Sequence, residues 1–134
     1  MTFRSVLVTE LHRRRAVNRR YSLRSFARDL SLHHSTLSQM LRGRRRLTGR
    51  TVRALGPRLR LPPDTIAELC ALENEAAVLS ILPRKNFQPE SRWVSIVTGI
   101  PLDEVNITLQ RLLRKGTMLM RTSTRWQRVQ VEEV

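Results

Sequence analysis

Between positions 22 and 43 the apolar residues fall at Phe26, Leu30, Leu32, Leu37 and Met40, with the small Ala27 beside the first. Phe26, Ala27 and Leu30 share one face of a short helix, and Ser22 is placed to cap its N-terminus. Ser31-Leu32-His33 leaves room only for a tight turn. A second helix starts near His34 and turns Leu37, Met40 and Leu41 inward. Upstream, Leu7 and Leu11 form the stripe of an amphipathic helix over residues 4–17, with Val8 beside it. Downstream, Thr48 caps a helix that buries Val52, Leu55 and Leu59. Gly56-Pro57 bends or breaks that helix, because proline lacks the N–H donor and clashes one turn back.

Leu61-Pro62-Pro63-Asp64 is the clearest punctuation in the chain, and it divides residues 1–61 from a second module, 62–134. The second module begins with one long helix, Thr65 to Leu82. Leu69, Leu72, Ala76 and Leu79 form a short seam on it, either packing on the chain's own core or serving dimerisation. Ser91 caps a short helix carrying Trp93, Val94 and Val97. After a turn at Gly99-Ile100-Pro101, a helix over Leu102 to Lys115 turns Val105, Leu109, Leu112 and Leu113 inward. Gly116 stops it at the usual place past a helix end. Met118-Leu119-Met120 and Trp126-Gln127-Arg128-Val129 are strand candidates around a Thr122-Ser123-Thr124 hairpin tip. Helix, turn, helix, glycine, hairpin is the winged-helix order.

Two helices joined by three residues, with a small residue at the closest approach, make a helix-turn-helix. The apolar spacing of 22–43 resembles the phage-repressor (Xre or Cro-like) class, and the likeness runs on into Arg42-Gly43-Arg44-Arg45-Arg46. One departure is Ser31, where that class usually has glycine. Together the two modules resemble a bacterial regulator family in which a repressor-like domain precedes a winged-helix domain, including the Asn-x-x-Tyr-Ser opening at Asn18, Tyr21 and Ser22; the likeness covers most of residues 4–130. The expected fold is therefore mainly α: a repressor-like helix-turn-helix bundle plus a small α+β winged-helix module. The resemblance implies DNA binding.

Charge sharpens this expectation. The formal charge is +14, and residues 1–61 hold 16 Arg against only Glu10 and Asp29, whereas residues 62–134 hold nine basic and nine acidic side chains. Such asymmetry points to a polyanion partner for the first half alone. A membrane surface would need an apolar face rich in Trp, Phe or Leu beside the arginines, and none is evident. The outward positions of the second helix, His33, His34, Ser35, Ser38, Gln39 and Arg42, are hydrogen-bonding residues of the lengths that reach base edges, and none is acidic. Ser22, Arg24, Arg44, Arg45 and Arg46 are the candidate phosphate contacts. In the second module the helix at Leu102 opens with Asp103 and Glu104, which suits the helix dipole but opposes a phosphate neighbour. A structural or dimerising role is expected there, while Arg121, Arg125 and Arg128 of the hairpin keep a backbone contact open.

A single cysteine, Cys70, excludes an intramolecular disulfide and a cysteine-based zinc site. His33 and His34 are adjacent and expected to diverge, so no metal is expected, nor any cofactor. No signal peptide or membrane-length apolar run is visible, and the protein is expected to be cytoplasmic and not an enzyme. These readings converge on a regulator that binds a sequence-specific inverted repeat of double-stranded DNA as a homodimer. Its rivals are a nonspecific nucleic-acid-binding protein, nucleoid-like or RNA-binding, and an antitoxin or adaptor whose second module grips a protein. The scarcity of aromatics in residues 1–61 argues against base-stacking RNA recognition.

Overall fold

Helix α1, Phe3–Val17, begins where Thr2 and Ser5 satisfy each other's backbone N–H groups in a capping box. Helix α2, Leu23–Asp29, starts at Ser22, whose hydroxyl accepts from the Ser25 N–H at 3.1 Å. Helix α3 is His34–Leu41, and α4, Gly49–Leu55, is capped by Thr48 as the sequence predicts. Gly56-Pro57 ends α4, and a 3-10 turn follows at Pro57–Leu59. Then come α5, Pro63–Ile81, α6, Ser91–Thr98, α7, Leu102–Arg114, and a hairpin of β1, Met118–Thr122, with β2, Arg125–Arg128. This computed structural model describes residues 1–129; positions 130–134, the end of the predicted second module and of the family resemblance, lie outside the described residues.

The architecture is mainly α with a small α+β module, and it divides into two compact units, Met1–Glu73 and Asn74–Val134. The first unit is built on Phe3, Leu7, Phe26, Leu30, Leu37 and Val52, all fully buried, with Leu11, Ala27, Met40, Leu47, Leu55 and Leu59 around them. Each fully buried side chain of that size stabilises the fold by roughly 1.5–3 kcal/mol. Leu69 and Cys70 of α5 belong to the same core, so the first unit runs past Pro62-Pro63. A proline pair there opens a helix rather than ending a domain, because Pro63 sits in the first turn, where its missing N–H costs nothing.

The second unit gathers Ala77, Val78, Ile81, Val94, Ile100, Val105, Leu109, Leu112 and Met118. Phe87 meets Trp93 and Trp126 edge-on, at centroid distances of 5.4 and 5.6 Å. The strands pair antiparallel, Met118 opposite Arg128 and Met120 opposite Trp126, with an irregularity before Thr122. Glu75 is buried, and Lys115 Nζ lies 2.9 Å from its carboxylate, joining α5 to the end of α7. Two expectations are corrected. Leu113 is 37% exposed, and Thr108 takes the inward place instead, its hydroxyl donating to the Glu104 carbonyl. Ser91 is the first residue of α6 rather than its cap, a position held by Glu90.

The predicted seam on α5 does not form one exposed stripe. Leu69 is 1% exposed within the first core, and Leu79 packs on the second cluster. Leu72 is half-buried and Ala76 exposed. Two of the four seam residues, Leu69 and Leu79, thus serve the chain's own two cores.

Candidate nucleic-acid interface

The turn between α2 and α3 closes through Ser31, which sits in the left-handed region at φ 55. Its N–H donates to the Arg28 carbonyl, and the Leu32 N–H donates to the Ala27 carbonyl. A side chain here costs roughly 1–2 kcal/mol relative to glycine's freedom. The benefit is a tight joint that holds α3 by Leu37 and Met40, leaving its other side open.

On that open side Ser35, Gln39 and Arg42 follow at helical spacing and are exposed, while His34 and Ser38 flank them half-buried. His33 precedes the helix in extended conformation, so it does not diverge from His34 as expected. The two rings stack instead, 4.9 Å apart, and His33 Nδ1 lies 2.9 Å from the Ser35 hydroxyl. Among the described residues no group of three or more His, Cys, Asp or Glu is arranged to hold a metal ion. The six predicted base-reading positions therefore do come together at one helix, with His33 at its mouth.

Helix α3 ends in a Schellman motif. Gly43, at φ +72, donates to the Met40 carbonyl, and the Arg44 N–H reaches back to the Gln39 carbonyl at 2.9 Å. The Arg45 N–H shares the same acceptor at 3.3 Å. This geometry folds the backbone of the arginine run back onto the helix end, with Arg42, Arg44 and Arg45 exposed there.

Arg4, which the sequence reading passed over, completes this end. Its Nε donates to the Leu41 carbonyl at 2.9 Å, and a Cβ at Gly43 would stand 2.8 Å from its guanidinium. Arg58 plays the corresponding part for α2, donating to the Leu30 carbonyl. No local signal marks either pair, since the partners lie 37 and 28 residues apart.

Other arginines are engaged in structure as well. Arg14 joins Glu10 at 2.8 Å, Asp29 at 3.1 Å and the Tyr21 hydroxyl at 2.9 Å, with its guanidinium 5.1 Å from the Phe26 ring centre. Hydrogen bonding to Arg13, helped by Arg14, lowers the Glu10 carboxyl to about 2. Arg46 faces Glu73: burial raises the Glu73 carboxyl above its usual range, while the Phe3 N–H and the Arg46 charge favour the ionised form. All five predicted phosphate contacts, Ser22, Arg24, Arg44, Arg45 and Arg46, stand exposed. Ser22 is engaged in capping and also meets the Ser25 hydroxyl at 3.0 Å.

Comparison with known families matches this segment. Residues 6–69 fit the family model of a helix-turn-helix domain. That segment is a helix-turn-helix domain. Like the compact first unit, the matched domain includes the opening of α5. No curated protein and no solved structure matches the chain. Among the described residues, no helix is long and apolar enough to cross a membrane.

Proposed function

We propose that the protein is a repressor-like transcriptional regulator that reads double-stranded DNA by inserting α3 into the major groove. The carrying observation is the outward face of α3: Ser35, Gln39 and Arg42 aligned, uncharged or cationic, followed by the exposed Arg44 and Arg45, whose N–H groups fold back onto the Gln39 carbonyl. Short neutral donors and acceptors read base edges, whereas flanking arginines hold phosphates in register. A single domain of this size reads only a few base pairs, so useful specificity calls for two copies on an inverted repeat. The second unit, with α6, α7 and the hairpin in winged-helix order, would then serve assembly. Asp103 and Glu104 at the start of α7 disfavour a phosphate neighbour there. The cytoplasm is the compartment in which such a protein would act.

Selection of bound sequences from a random duplex pool tests this reading. An enriched inverted repeat is the expected result. Binding without enrichment would favour nonspecific coating of nucleic acid, a reading to which the 16 arginines of residues 1–61 give some weight.

A further inference from the structure

Helix α7 turns Val105, Thr108, Leu109 and Leu112 into its own core. On the opposite side Asp103, Ile107, Gln110 and Arg114 succeed one another at helical spacing and form a second stripe. All four are exposed, Ile107 by 57%. The stripe has an internal order. Asp103 and Arg114 lie equally far on either side of the Thr108–Leu109 peptide bond, and so do Ile107 and Gln110.

We infer that this stripe is the seat of a symmetric, antiparallel α7–α7 pairing between two copies of the chain. A two-fold axis through the helix midpoint sets Asp103 of each copy against Arg114 of the other. The same operation sets Ile107 of each copy beside Gln110 of the other, near the axis. One surface is thereby complementary to itself, as a two-fold interface requires. The antiparallel sense also places each helix's positive end by its neighbour's negative end. Glu104, the other acid of the first turn, receives a hydrogen bond from the Asn74 amide within its own unit, which leaves Asp103 as the outward carboxylate.

Two further observations favour a second copy as the occupant. Six of the eight large apolar side chains exposed among the described residues belong to this unit: Ile96, Leu102, Ile107, Leu113, Leu119 and Met120. The arginine excess lies in residues 1–61, so two chains meet with least repulsion through their second units. The inference rests on the proposed two-fold DNA reading and deepens it: the helix that would read DNA in a winged-helix module joins the two copies instead.

Sedimentation equilibrium of the full chain tests the pairing, with Asp103→Arg and Arg114→Asp prepared separately. The wild type should be dimeric at tens of micromolar. Each variant alone sets like charges together twice and should associate about tenfold more weakly or worse. Mixed one to one, the two variants are complementary at both ends, and the mixture should recover dimer. Ile107→Lys, at a site exposed enough to leave the fold intact, should weaken association without touching either helix end.

A monomeric wild type, single variants that associate as the wild type does, or a mixture that fails to recover would each overturn the inference. Binding to a half-site by the first unit, measured in parallel, should be unchanged in every variant. A wild type that dimerises but shows no sequence preference would leave the pairing standing and sink the proposed function.

Discussion

Arg4 holds the far end of the helix that carries Gln39: its Nε donates to the Leu41 carbonyl at 2.9 Å, and its guanidinium packs where Gly43 leaves room. The orientation of the candidate reading face is thus tied to the first turn of α1. Hydrogen bonds from charged donors contribute more than neutral ones, about 1.5–3 kcal/mol. Arg4→Ala should therefore lower stability by about 1–2 kcal/mol. Thermal unfolding checks this, with a midpoint several degrees lower expected for the first unit. An unchanged midpoint would show that water serves the carbonyl equally well.

The left-handed turn at Ser31 offers a gain. Glycine takes φ 55 without the steric penalty of a Cβ, while its own unfolded-state entropy offsets part of the benefit. Ser31→Gly should stabilise the chain by about 0.5–1 kcal/mol, and Ser31→Val should destabilise it. Chemical denaturation of the three chains decides the sign, and a destabilised glycine variant would contradict the strain.

Base reading and phosphate holding separate by salt. Gln39→Ala should cost roughly 1–3 kcal/mol on the selected site and far less on a scrambled duplex, with the salt slope nearly untouched. Equal losses on both duplexes would mean that Gln39 reads no base. Replacing Arg44, Arg45 and Arg46 together should weaken all duplexes alike and reduce the slope of log affinity on log salt by roughly 1–3. Arg46→Ala alone should contribute least to that reduction, because its charge already faces Glu73.

Acid should loosen the first unit through Glu10. Its carboxyl lies at about 2 in the fold against an ordinary value of 4.5, so the folded state binds the proton less readily than the unfolded chain. The contribution is fully present above about pH 5 and fades as pH falls from 4.5 toward 2. Glu10→Gln should be less stable than wild type by about 1 kcal/mol at neutral pH, with the gap closing near pH 2. Parallel pH series of unfolding midpoints test this; a gap independent of pH would assign the loss to packing alone.

Much of the local structure is legible in the residues themselves. Ser22 and Thr48 were visible as caps, Gly116 as a stop and Gly56-Pro57 as a break, because each acts within one turn of the backbone. The inward stripes of α2 through α4 followed from periodicity, whereas Phe3, fully buried at the start of α1, lay outside the stripe read at Leu7 and Leu11. Less legible were positions where two residues compete for one interior. Leu113 turns about 100° away from its inward neighbour Leu112, whereas Thr108 sits one turn before Leu112 on the inner face, although hydrophobicity favoured the leucine. The threonine hydroxyl is satisfied by its own helix, so it enters at little cost.

Periodicity, capping and charge are properties of neighbours along the chain, so the helix-turn-helix, its outward residues and the concentration of arginine in the first half are legible from the residues alone. Which arginines are tied to the protein's own carbonyls and side chains followed from helix packing instead. Arg4 and Arg58 reach the carbonyls of Leu41 and Leu30, and Arg14 gathers Glu10, Tyr21 and Asp29. Packing likewise drew Leu69 and Cys70 across the proline pair into the first core. These outcomes depend on which surfaces meet when helices pack, and residues far apart in sequence become partners only once their backbones have been brought together.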